Sequence, residues 1–239
     1  MNIPHFILSN RAYFEDFVTR ATYHSNAIEG STLSYAETYA ILFNDNTLKI
    51  NATARELYEA INHKYALNYV LSHLDHELSE TMIKHLARQI NHNIQEISGY
   101  RTQSVLIRGA AHLPPSPKEV PNLMLYYVHN YNNTVYSNIY EKIADQHIRF
   151  EQIHPFSDGN GRTGRLLMNF ELLRHNLPPI VIDKEQRTEY FKYLADSNVM
   201  GLAQFIQQAT QREHERIQHF VSLTQERTQS RSIEPELEL

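Results

Sequence analysis

The sequence predicts a mainly α fold: a bundle of helices carrying one small β-hairpin near residues 102–117. Three observations predict it. Only seven of the 239 residues are glycine. Four of the nine prolines are gathered between Pro114 and Pro121, which leaves long uninterrupted stretches on either side. In those stretches apolar residues recur at spacings of three, four and seven, the period of a helix with one buried face.

Taken in order, residues 11–29 carry Phe14, Phe17, Val18, Ala21 and Ile28 on one helical face, and Gly30 is a natural stop. Ser25 and Glu29, four apart, share a face. A carboxylate in a last helical turn opposes the helix dipole. From this segment alone Glu29 reads as a solvated surface residue unless something else holds it. Residues 34–43 form a short helix, with Ser34 as N-cap and Glu37 completing a capping box. Residues 53–74 form a long one, with Leu57, Ile61, Leu67, Val70 and Leu74 on its face. A further helix over 79–97 is capped by Ser79 and faced by Met82, Ile83, Leu86, Ile90 and Ile97. The hairpin follows from Tyr100, with Val105, Leu106 and Ile107 in its first strand and the turn near Gly109. Leu113–Pro121 is extended. Helix resumes over 121–134 and 137–152. The run from Leu166 to Leu173 is so apolar that a buried helix must start near Asn160, and Pro178-Pro179 stops it. Residues 186–198 and 200–224 are helical again. Beyond about 226 there is no periodicity, as in a flexible tail. There is no internal repeat.

Composition narrows the function. The formal net charge is −5, so there is no basic footprint and nucleic acid is not expected as a partner. No apolar run approaches the ~18–20 residues of a membrane span, and no membrane partner is expected. The first residues are too short and uncharged for a signal peptide. Cysteine is absent, which excludes disulfides and thiolate metal sites and is compatible with the cytoplasm, the location expected.

Three of the seven glycines fall within Gly159–Gly164, inside His154-Pro-Phe-Ser-Asp-Gly-Asn-Gly-Arg-Thr-Gly-Arg165. A helix beginning in Gly-Asn-Gly offers free backbone N–H groups and a positive dipole end, a general device for holding phosphate. Arg162 and Arg165 point to one side, and guanidinium forks suit phosphate oxygens. A lone carboxylate such as Asp158 beside phosphates is the usual protein ligand of Mg²⁺. His154 is suited to accept a proton near neutrality. Together these parts describe transfer of a phosphorus group from a Mg²⁺-nucleotide to a hydroxyl. The same glycines mimic the dinucleotide fingerprint Gly-x-Gly-x-x-Gly, but that motif needs a β-strand before its first glycine, and Glu151–Asp158 does not read as one. No Gly-Lys-[Ser/Thr] phosphate loop and no His-Glu-x-x-His zinc motif is present, and His73/His76 read as solvated surface groups.

The stretch His154–Arg165 resembles the signature of the Fic family, His-x-Phe-x-[Asp/Glu]-Gly-Asn-Gly-Arg-x-x-Arg, at all eight fixed positions. Tyr100–Gly109, Pro114-Pro115 and Val120-Pro121 resemble the family's flap, and the likeness extends over roughly residues 11–210. It implies a Fic-type helical bundle with a catalytic core over 34–225, a leading segment 1–33 and a tail 226–239. It implies an AMP transferase that uses ATP with Mg²⁺ (or Mn²⁺) and modifies a Ser, Thr or Tyr hydroxyl of a protein, itself included. By that resemblance His154 is the base and Asp158 the metal ligand. Gly159, Asn160 and Gly161 cradle the phosphates, and Arg162 and Arg165 bind their outer oxygens. Tyr190, with Phe191, and Asn198 lie near the nucleoside, and Ser104, Val105, Leu106 and Ile107 pair with the target as an added strand. Ser25-Asn-Ala-Ile-Glu-Gly30 resembles the family's inhibitory motif, [Ser/Thr]-x-x-x-Glu-[Gly/Asn]. Glu29 would then hold Arg165 and block the γ-phosphate site. Two other readings stand beside this one: a hydrolase removing AMP, with Glu29 orienting water, and a nucleotide-sensing regulatory binding protein. The oligomeric state is left open, a homodimer among the options.

Overall fold

The computed structural model describes residues 1–43, 49–106 and 113–233, with side chains as far as residue 226. Among these residues ten α-helices and one 3₁₀ turn make up the regular structure, and there is no strand. Helix α1 (Ile3–Ser9), too short to announce itself by periodicity, is capped by Asn2, whose side chain accepts from the His5 N–H. Helix α2 (Arg11–Glu29) matches the predicted span and ends on Gly30 in the left-handed region at φ 106°. Helix α3 (Tyr35–Phe43) has the expected cap: the Ser34 hydroxyl accepts from the Glu37 N–H, and Glu37 accepts from the Ser34 N–H. Helix α4 (Ala54–Leu71) opens on a Thr53/Glu56 capping box.

Helix α5 (Glu80–Ile90) stops well short of the predicted 97. The Asn91 side chain donates instead to Ala87 O and Asp158 O, and Asn93 turns left-handed at φ 59°. Asparagine competes with the helix in this way when a partner lies nearby. Helices α6 (Val120–Asn133) and α7 (Ile139–Ile153) follow, then α8 (Asn160–Arg174). Helix α8 ends before Pro178, at a left-handed Asn176. The 3₁₀ turn Lys184–Gln186 leads into α9 (Arg187–Ala195), and α10 (Val199–Ile233) closes the chain. Helix α10 outruns the predicted end at 224, so the backbone of the first part of the expected tail is helical; residues 234–239 lie outside the described residues.

The predicted hairpin is not found as strands. Residues 102–106 and 113–117 are irregular, and 107–112, with Ile107 and Gly109, lie outside the described residues. Pro114, Pro115 and Pro117 have no N–H to offer a ladder. A side chain joins the two arms instead: the buried Arg101 guanidinium donates to Gln103 O at 3.1 Å and Pro115 O at 2.6 Å.

Helix α8 is the axis of the fold. Every residue from Arg162 to Leu173 is buried, so it needs covering on all sides. Phe170 faces a core with Phe17 of α2, Leu67 of α4, Leu86 of α5 and Phe150 of α7. Met168 and Leu172 face a second core with Ile28, Ile148, Ile206 and Ile180. The first turn of α8 borders a cleft, and the elements around it converge there. No helix among the described residues is long and apolar enough to cross a membrane.

Candidate active site

Pro155 disfavours the helical region for the residue before it. Helix α7 therefore ends at Ile153, and His154 takes a left-handed conformation, φ 48° and ψ 61°. That costs a non-glycine residue about 1–2 kcal/mol, though histidine is among the more tolerant. Arg101 offsets this by fastening the turn: its Nε donates to His154 O at 2.8 Å, and its backbone N–H donates to Pro155 O. The imidazole Nδ1 lies 3.3 Å from Glu151 O. A proton on Nδ1 leaves Nε2 as the basic nitrogen.

The turn into α8 is built around Gly159 and Asn160. Gly159 sits at φ 77°, and a Cβ there would stand 2.6 Å from Asn91 Nδ2, so only glycine fits. The buried Asn160 side chain donates to Phe156 O and accepts from the Phe156 N–H, both at 2.9 Å. It clamps the loop rather than facing the cleft, so at this position the backbone, not the amide side chain, is what the cleft is offered. Asp158 accepts from its neighbour Gly159 N–H at 2.6 Å, from Arg162 Nη2 at 3.1 Å and, on its other oxygen, from Arg55 Nη2 at 2.6 Å.

Arg165, one turn into α8, is held by α2. Its Nε donates to Ser25 Oγ at 3.0 Å, and its Nη2 donates to Ser25 O and to Glu29 Oε1 at 2.9 and 2.8 Å. The expected pairing of residues 136 apart is present. It also accounts for a carboxylate in the last turn of α2: Glu29 lies against the positive end of α8, which outweighs the unfavourable end of its own helix. Arg165 Nη1 is buried and has no hydrogen-bond partner among the described residues.

Glu29, Arg55, Glu59, His154, Asp158 and Gly161 line one cleft of about 380 Å³. Its acids and arginines do not form an all-protein metal cage; no group of three or more His or carboxylate side chains among the described residues could hold an ion. A single carboxylate beside an anion cradle does fit a cation that arrives with phosphates and keeps other oxygen ligands.

Other candidates lie away from the cleft. Tyr190 is wholly buried behind Arg165, its hydroxyl 2.6 Å from His147 Nε2. Phe191 packs under the Arg187 guanidinium, 4.4 Å from its ring centre. Asn198 is exposed and accepts from the Gly201 N–H. Neither Tyr190 nor Asn198 lines the cleft. In the flap arm Leu106 is exposed, with Ser104 and Val105 beside it in irregular backbone. Sequence reasoning missed Arg55, Glu59 and Arg101. The Arg55/Glu59 spacing of four was legible, but its meeting with Asp158, 103 residues away, was not.

Residues 77–172 match the model of the Fic/DOC family. Protein adenylyltransferase Fic of Drosophila grimshawi is 31% identical over 202 residues, and that of Drosophila virilis 32%. Each alignment covers 82% of this chain, and the chain spans 40% of the length of either relative. Among solved structures, a Fic domain containing signaling protein from Bacteroides thetaiotaomicron aligns with a TM-score of 0.76 at 27% identity, over 85% of this chain and 87% of that one. Fic-1 from C. elegans aligns with a TM-score of 0.72 at 30% identity, over 88% and 64%.

Proposed function

The chain is a Fic-domain protein, and we propose that it is an autoinhibited protein adenylyltransferase, moving AMP from ATP to a Ser, Thr or Tyr hydroxyl of a protein. One observation carries this reading: Glu29, which lines the cleft together with His154, holds Arg165 against Gly161 in the first turn of α8. A carboxylate stands where a phosphate oxygen would sit.

The phosphates would lie against the first turn of α8, facing its backbone N–H groups, with Arg165 released to them from Glu29. Asp158 would hold Mg²⁺ (or Mn²⁺), which neutralises phosphate charge when bound. The protein hydroxyl attacks the α-phosphorus. Its proton passes to His154, the bond from the α-phosphorus to the bridging oxygen breaks, and pyrophosphate leaves. With Glu29 on Arg165 the outer phosphates are denied their guanidinium and the α-phosphorus sits off line. A displacement of about 1 Å costs on the order of 100-fold in rate, so the lock need not prevent binding.

The test is incubation of Glu29→Gly with ATP labelled at the α- or the γ-phosphate, followed by mass spectrometry of the modified hydroxyl. Label from the α-position alone, and its loss by roughly 10²–10⁴-fold in Glu29→Gly/His154→Ala, is the expected result. Transfer of γ-label overturns it. The reverse reaction, removal of AMP by water, is favoured by one observation: Glu29 and His154 flank the same cleft, so a water between them has a carboxylate to orient it. Release of AMP from a pre-modified protein by the parent, and not by Glu29→Gly, would identify that direction.

A further inference from the structure

Around Asp158 four side chains close an alternating ring of charge. Asp158 Oδ2 accepts from Arg55 Nη2 at 2.6 Å, and Arg55 Nε donates to Glu59 Oε1 at 2.9 Å. The same Glu59 oxygen lies 3.1 Å from Arg162 Nη1, and Arg162 Nη2 returns to Asp158 Oδ1 at 3.1 Å. Two carboxylates meet two guanidiniums, and the ring is balanced without any further cation. Both Asp158 oxygens are engaged, so a metal ion can reach this carboxylate only by displacing a member.

The four members are unequal. The Arg162 side chain is 2% exposed and Glu59 8%, whereas Arg55 is 54% exposed. Releasing Arg162 would leave a guanidinium buried and unpaired, which is costly; releasing Arg55 returns a charge to water, which is not. Arg55 stands in the first turn of α4, where its side chain can swing outward without moving the helix. Its neighbour Glu56 holds the segment after α2, accepting from the N–H and hydroxyl of Thr32 at 2.7 Å each, so the helix end carrying Arg55 is itself firmly placed.

We propose that Arg55 is a built-in stand-in for the divalent cation, occupying Asp158 in the resting protein, and that metal loading proceeds by its displacement. The resting cleft is then filled from within on both sides: Glu29 takes the place of phosphate on Arg165, and Arg55 takes the place of metal on Asp158. This inference rests on Asp158 being the metal-binding carboxylate of the proposed transferase. Arg55 sets how much metal is required, not the chemistry itself.

The experiment measures ATP binding by isothermal titration calorimetry across a Mn²⁺ series, for the full chain and for Arg55→Ala, Arg55→Lys and Asp158→Asn. Arg55→Ala is expected to reach half-saturation with metal at a concentration lower by roughly fivefold, the scale of a half-exposed ion pair. Arg55→Lys, which keeps the charge but cannot fork between Asp158 and Glu59, is expected to fall between. Metal-free ATP binding is expected to be no weaker in Arg55→Ala than in the parent. An unchanged metal midpoint in Arg55→Ala, while Asp158→Asn loses the metal response, overturns the role of Arg55 alone. Weaker metal-free ATP binding in Arg55→Ala also overturns it, by making Arg55 a nucleotide ligand. A metal response that survives in Asp158→Asn, or is absent from parent and variant alike, overturns the underlying assignment of Asp158 instead.

Discussion

The Glu29 carboxylate lies on the α-carbon of Gly161: a Cβ at position 161 would stand 2.4 Å from Glu29 Oε1 and 3.0 Å from Arg165 Nη1. The last turn of α2 is thus seated in the first turn of α8 with no room for a side chain between them. Arg165 is gripped there by three acceptors, two of them on Ser25. Ser25→Ala removes only the hydroxyl contact. A bond to a charged group is worth roughly 1.5–3 kcal/mol, and the two remaining acceptors retain part of the grip. AMP incorporation is expected to rise several-fold in Ser25→Ala and to stay below that of Glu29→Gly. Activity equal to the parent's would mean that Ser25 takes no part in holding Arg165.

Asn160 is expected to matter for stability as well as for rate. Its side chain closes both hydrogen bonds on Phe156, and Phe156 is fully buried. Asn160→Ala leaves a buried N–H and a buried carbonyl unpaired, at about 1–3 kcal/mol for such a loss. Urea unfolding should show a lower midpoint with an unchanged slope. A midpoint like the parent's would show that the clamp is dispensable.

Stability should peak near neutrality because three groups behind the cleft, two buried histidines and the largely buried Glu151, titrate in opposite senses. Burial pushes the Glu151 carboxyl up from 4.5 to about 8; the Arg165 charge opposes this and Glu29 adds to it. Burial pushes His147 and His63 down from 6.5 to about 3, with Arg165 adding to both. The Glu151 contribution is full below about 4.5 and is lost as the pH rises through about 8. The histidine contributions are full above 6.5 and are lost as the pH falls through about 3. Two histidines outweigh one glutamate below 6.5, and Glu151 acts alone above it. Calorimetric Tm should therefore be highest near pH 6.5. Glu151→Gln should flatten the decline between pH 6.5 and 8 and steepen the acid limb between about 4.5 and 6.5; an alkaline limb as steep as the parent's would contradict the assignment.

Much of this was legible in the sequence where local rules decide. The Ser34/Glu37 and Ser79 caps, the end of α2 at Gly30 and the start of α8 at Asn160 all follow from short-range chemistry. The helical fold class follows from periodicity. Most of the motif between His154 and Arg162 gathers at one cleft because a single turn joins the end of α7 to the start of α8. What was not legible depends on distant partners. Helix α5 stops early because Asn91 finds Asp158 O, 67 residues away. The expected ladder of the flap gives way to Arg101, which reaches carbonyls from three segments. Tyr190, placed near the nucleoside by resemblance, is buried against His147, a contact that no spacing announces.

The most direct measurement is the rate of labelled-AMP incorporation by Glu29→Gly against the parent at equal, saturating ATP. On the proposed reading Glu29 competes with the outer phosphates for one guanidinium, so the variant should label faster by on the order of 100-fold, with ATP affinity changed far less. Equal rates in the two proteins would contradict the central proposal that Glu29, by holding Arg165, keeps AMP transfer in check.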